Sequence, residues 1–120
     1  MEACIRRNFE FKSSNMHTRV AFKMKLQPGA IEAYKKRHDE LWPELHKLLK
    51  EAGLSEYSIF FDEETNILFA FQKQAGDQGS QDLGKTEIVQ LWWKYMADIM
   101  ETKPDNSPVS TPLEEVFFMQ

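Results

Sequence analysis

From Arg19 the chain alternates. Val20, Phe22, Met24 and Leu26 are apolar, and Ala21, Lys23 and Lys25 stand between them. A two-residue period with one wet side predicts a strand. Pro28-Gly29 stops it. The period then changes. Ile31, Tyr34, His38, Leu41, Leu45, Leu48, Leu49 and Ala52 recur at helical steps, which predicts an apolar stripe over 30–52. Pro43 lies inside that run and lacks the N–H that a helix interior needs. The helix is expected to break near Trp42 and to restart with Pro43 in its first turn. Gly53 closes it.

Two further strands are predicted at Tyr57–Phe61 and Ile67–Phe71, joined by the polar turn 62–66 into a hairpin. The stretch 74–85 is polar and rich in glycine, and reads as a loop with one irregular helical turn near 81–83. Thr86 is a candidate N-cap for a second long helix running to about Met100. Its expected core stripe is Ile88, Leu91, Trp92, Tyr95, Met96 and Ile99, widened by Val89, Trp93 and Met100. Prolines make 103–112 an extended loop, and Glu115–Met119 is expected as the last strand. The order is β-α-β-β-α-β. That order predicts a ferredoxin-like α+β subunit, with helices on one face of an antiparallel sheet. Phe60 and the alternating aromatics of the hairpin would then face away from the helices. A homodimer packed sheet to sheet is expected to bury them, with the apolar C-terminal strand able to join a partner's sheet edge.

Composition narrows the function. The chain has 120 residues, 42% hydrophobic and 12% aromatic, enough for one packed core. Residues 1–15 continue no periodic pattern, and Met16 precedes the first strand. Translation is expected to start at Met16, or residues 1–18 to form a flexible extension before a single domain over 19–120. No secretory signal is read in the N-terminal segment, and no apolar run reaches the ~20 residues of a membrane span. Cys4 is the single cysteine, which points to a reducing, cytoplasmic setting. With a net charge of −4 and scattered basic residues, neither nucleic acid nor a membrane surface is an expected partner. Lys35, Lys36 and Arg37 read as the solvated side of a helix.

His38 is the first candidate for chemistry. It lies four residues after Tyr34, on the same helix face. Either it is a hydrogen-bonded core residue, or it is an acid/base group in a pocket, since imidazole exchanges protons near neutrality. Trp92 and Trp93 point about 100° apart on their helix, so one indole can serve the core and the other a pocket wall. They are either plain packing or a stacking platform for a sugar. Tyr57 opens the second strand, as a strand-end residue or as a hydroxyl for a ligand. One of Glu40, Glu44, Asp62 and Asp98 could orient His38, and the sequence does not choose among them. His17, His38 and His46 have no metal-ligand spacing. The loop at Gly76–Gly84 has no phosphate-binding glycine motif, and no nucleophile elbow is present. No metal and no cofactor is expected.

Four segments together resemble the L-rhamnose mutarotases: AYKKRHDELWPEL (33–45), EYSIFFDEETNILFA (56–70), WWKYMADIM (92–100) and KPDNSPV (103–109). The resemblance runs collinearly from about Arg19 to Gln120. It implies a dimeric α+β barrel of ferredoxin-like subunits acting on L-rhamnose in the cytoplasm. It implies His38 as the proton donor, and Tyr34, Tyr57, Trp92 and Trp93 as sugar-binding residues. Residues 1–15 have no counterpart in the family, and the polar loop 74–85 replaces bulkier residues of some relatives. The rival expectation is a generic barrel of the same fold, either a small-ligand binder or a cofactor-free monooxygenase-like enzyme.

Overall fold

A computed structural model of the chain describes residues 17–120. The expected N-terminal extension, with Cys4 and Met16, lies outside those residues for positions 1–16. The elements run β1 (Thr18–Lys25), α1 (Ile31–Asp39), α2 (Pro43–Glu51), β2 (Leu54–Asp62), β3 (Ile67–Gln74), α3 (Glu87–Met96) and β4 (Thr111–Leu113). Single 3-10 turns lie at Ser80–Asp82 and Ala97–Ile99. The sheet order is β2-β3-β1-β4, antiparallel throughout. This is the ferredoxin-like α+β fold read from the element order.

Alternation sorts the strands as expected. Phe22, Met24, Leu68 and Ala70 face the helices and are buried, and Phe60 and Phe71 face the other way. Pro43 occupies the first turn of α2, with Trp42 extended before it. The break at Trp42 therefore follows from the missing N–H. Gly53 adopts φ +91, a left-handed conformation that ends α2 and lets β2 begin one residue later.

Three expectations need correction. The C-terminal strand is not Glu115–Met119 but Thr111–Leu113, paired with β1 through Ala21↔Leu113 and Lys23↔Thr111. Pro112 is tolerated there because β4 is an edge strand. Val116 and Phe117 are 88% and 78% exposed, while Glu115 is tethered to Arg19 at 2.6 Å and Phe118 lies under the Arg19 guanidinium. The stripe of α3 is Val89, Trp92 and Met96, while Leu91 and Tyr95 are 48% and 44% exposed. Thr86 does occupy the N-cap of α3, but its hydroxyl donates to the Leu83 carbonyl at 2.6 Å and makes no side-chain cap.

Candidate active site

The cavity of interest lies between the inner face of the sheet and the helices, and has a volume of about 780 Å³. That is within the ~300–1,000 Å³ typical of small-molecule sites. Its walls include Tyr34 and His38 from α1, Tyr57 from β2, and Trp92 and Trp93 from α3. All five candidate residues therefore meet at one space. The remaining lining is largely apolar, with Ile59, Phe61, Leu68 and Met96 among it.

Helical geometry places Tyr34 and His38 together. Their rings lie 4.2 Å apart between centroids. Trp92 meets the His38 ring edge-on at 5.4 Å, and Trp42 meets Trp92 edge-on at 5.1 Å. Trp42 thus props the indole that borders the histidine. Of the two adjacent indoles, Trp92 is buried and Trp93 half-buried. Gly84 lies against Trp93 so closely that a Cβ there would come within 2.5 Å of the indole.

The orienting partner of His38 is not a carboxylate. Its Nδ1 lies 3.0 Å from the Tyr34 carbonyl oxygen. Burial pushes the imidazole pKa down, against smaller upward pulls from that carbonyl and from Asp39. Asp98 has another task. It takes both terminal nitrogens of Arg37, at 2.9 and 3.2 Å, and Arg37 also donates to the Tyr95 carbonyl at 2.8 Å. Arg37 thereby ties α1 to the end of α3, unlike the exposed Lys35 and Lys36 beside it. Asp62 accepts from Glu64 N and Thr65 in the hairpin turn.

Both cavity phenols hold their protons. Burial drives Tyr34 far above the usual phenol range, with the nearby Tyr57 adding to the rise. Burial also raises Tyr57, partly offset by hydrogen bonds from Ser80 and Gln72. A β-bulge aims Tyr57. Between the pairs Ser55↔Lys73 and Ser58↔Phe71, Glu56 and Tyr57 oppose Gln72, and Glu56 takes φ +47. The extra residue shifts the parity, so Leu54 and Tyr57 both turn inward. Ser80 lines the cavity and Gln72 is hydrogen-bonded to it from β3, and no sequence motif marks either residue. Gln72 continues the inward-facing series Leu68, Ala70, Gln72. A polar side chain on an apolar strand face is the signal that marks it. Among the described residues, no three His, Cys, Asp or Glu side chains are grouped to hold a metal ion.

The chain is similar to known proteins over most of its length. A family model described as L-rhamnose mutarotase matches residues 19–119. A protein named L-rhamnose mutarotase from Formosa agariphila is 69% identical over 102 residues, which cover 85% of this chain and 98% of that relative. Another of that name from Bacteroides thetaiotaomicron is 67% identical over 101 residues, covering 84% and 97%. A crystal structure of an L-rhamnose mutarotase from Formosa agariphila matches with a TM-score of 0.79 at 65% identity, over 86% of this chain and 99% of that one. A dimeric ferredoxin-like protein from an uncultured marine organism shares the fold, with a TM-score of 0.55 at 14% identity over 89% and 96%. With a family match over nearly all the described residues and relatives at two-thirds identity, the chain belongs to the L-rhamnose mutarotase family, isomerases acting on sugar anomers.

Proposed function

We propose that the cavity between α1, α3 and the sheet holds L-rhamnose, and that His38 moves the proton that lets the ring open and reclose. The observation that carries this reading is the 3.0 Å contact between His38 Nδ1 and the Tyr34 carbonyl. A carbonyl oxygen only accepts, so Nδ1 carries the proton. Burial favours the neutral ring, which leaves Nε2 as a bare acceptor on a residue that lines the cavity. On opening, Nε2 takes the proton of the anomeric hydroxyl, the bond from C1 to the ring oxygen breaks, and the ring oxygen takes a proton from a second donor that recovers it on closing. The C1–C2 bond turns. On closing, His38 returns the proton to the former carbonyl oxygen, and the hydroxyl sits on the other face. The donor role expected for His38 is thus the second half of its cycle.

Trp92 and Trp93 offer indole surface to the C–H faces of the sugar, and Tyr34 and Tyr57 offer hydroxyls to its oxygens. The chemistry is proton transfer alone and calls for no metal or cofactor. The catalytic domain takes in the sheet from its first strand at Thr18 onward. The single cysteine suits a reducing cytoplasm. Phe60, 64% exposed, and Phe71 on the outer face of the sheet suit a homodimer packed sheet to sheet into an α+β barrel.

Exchange NMR on equilibrated L-rhamnose tests the reading. The protein is expected to speed exchange between the two anomers, and to leave a sugar of opposite hydroxyl arrangement at its uncatalysed rate. No acceleration of L-rhamnose exchange would remove the assignment.

A further inference from the structure

Ring opening needs a second group. While one residue takes the anomeric proton, another must supply a proton to the ring oxygen. Beside Tyr57 the structure holds an ordered polar chain that His38 does not use.

Gln72 is buried on β3, opposite the bulge that carries Tyr57. Its side-chain oxygen accepts from the Ser80 backbone N–H at 2.9 Å, and its Nε2 donates to Ser80 Oγ at 3.0 Å. The backbone N–H can only donate, so the orientation of the Gln72 amide is fixed. Ser80 Oγ therefore receives a hydrogen bond from Gln72, and a longer one from Gln81 Nε2 at 3.4 Å. Its own proton must go elsewhere. The acceptor in reach is Tyr57 Oη, at 3.3 Å. With Ser80 donating to it, Tyr57 has its own proton left for a different acceptor, and its side chain lines the cavity.

The loop is shaped for this contact. A Cβ at Gly79 would lie 2.8 Å from the side-chain oxygens of both Gln72 and Gln74, so glycine lets the loop approach the strand. Asp82 closes the same turn by accepting from Gly79 N–H at 2.8 Å. Buried polar chains of this kind hold one proton arrangement, because each alternative leaves a donor or acceptor unpaired.

We propose that Gln72 and Ser80 are positioning residues that direct the Tyr57 proton into the cavity, and that Tyr57 is the catalytic acid for the sugar's ring oxygen. The inference rests on the mutarotase reading of the cavity. On opening, His38 Nε2 takes the anomeric proton and the electron pair of that O–H bond forms the carbonyl. The bond from C1 to the ring oxygen breaks, and that oxygen takes the proton of Tyr57. The phenolate left behind accepts the Ser80 hydrogen bond. Closing reverses each transfer, so both residues end as they began.

The test is a double-mutant cycle on Tyr57→Phe and Ser80→Ala, read by exchange NMR as kcat and KM for L-rhamnose. Tyr57→Phe is expected to lower kcat at least ~10²-fold, as loss of a general acid does. Ser80→Ala is expected to lower kcat about tenfold with KM within about twofold, the size of one lost hydrogen bond. In the Tyr57→Phe background, Ser80→Ala is expected to add nothing, because Ser80 acts through the phenol. Ser80→Cys keeps the size and a weak donor, and is expected to fall between wild type and Ser80→Ala. It also stands in should Ser80→Ala fail to fold. Multiplying losses in the double variant, or unchanged kcat in Tyr57→Phe, would overturn the proposal while the family reading stood. A wild-type protein without anomer exchange activity would take down both.

Discussion

At His38, burial and hydrogen bonding pull in opposite directions, and burial wins. The imidazole is therefore expected to titrate below its ordinary ~6.5. Protonation at Nε2 removes the acceptor, so kcat/KM should hold from neutral pH down past 6.5 and fall below that. Asp39 and the Tyr34 carbonyl oppose the shift, and Trp92 packs beside the ring without charge. A pH–rate profile with its acidic midpoint above 6.5 would contradict the burial argument. Stability should follow the same sign. The unfolded chain takes a proton near 6.5 that the folded ring resists, so stability falls as pH drops through that window. The pairing of Tyr34 and His38 was legible from their spacing of four. The nitrogen left free was not, because it depends on a backbone carbonyl that no side-chain motif encodes.

The elements set which residues meet. Pro43 announced the break between α1 and α2 because its chemistry is local. The face of α3 was not legible in the same way: Leu91 is as apolar as Val89 and Met96, and only the packed sheet leaves Leu91 and Tyr95 outside while Ile88 joins the core edge. Val-Phe-Phe-Met looked like the final strand on propensity, yet the pairing with β1 falls on Thr111–Leu113. The bulge that aims Tyr57 lies in a strand with no glycine to mark it. Arg37→Met should lose the ties from α1 to Asp98 and Tyr95, costing about 1–2 kcal/mol for a charge-assisted bond with one half-open partner. Calorimetry should show this as a fall in Tm of several degrees. Gly84→Ala should push Trp93 out of place, raising KM for L-rhamnose more than it lowers kcat. An unchanged KM would show that Trp93 does not border the sugar.

For the whole molecule, the order β-α-β-β-α-β pointed to a ferredoxin-like antiparallel sheet, and the structure arranges its strands as β2-β3-β1-β4. The outer face of that sheet carries Phe60 and Phe71, whose rings pack edge-on at 5.8 Å. Phe60→Asp with Phe71→Asp is expected to convert the protein to monomers, as judged by analytical ultracentrifugation. A wild-type protein that sediments as a monomer would end the sheet-to-sheet proposal. Chelator is expected to leave anomer exchange intact, and a rate lost to chelator and restored by a metal would contradict a reaction carried by protons alone.

In the proposed reaction, one proton is taken and returned by His38. Exchange NMR on L-rhamnose, comparing wild type with His38→Ala at equal circular dichroism and equal oligomer size, measures it directly. Loss of ~10²–10⁴ in the catalysed rate is the predicted result. A folded His38→Ala protein that exchanges the anomers at the wild-type rate would contradict it.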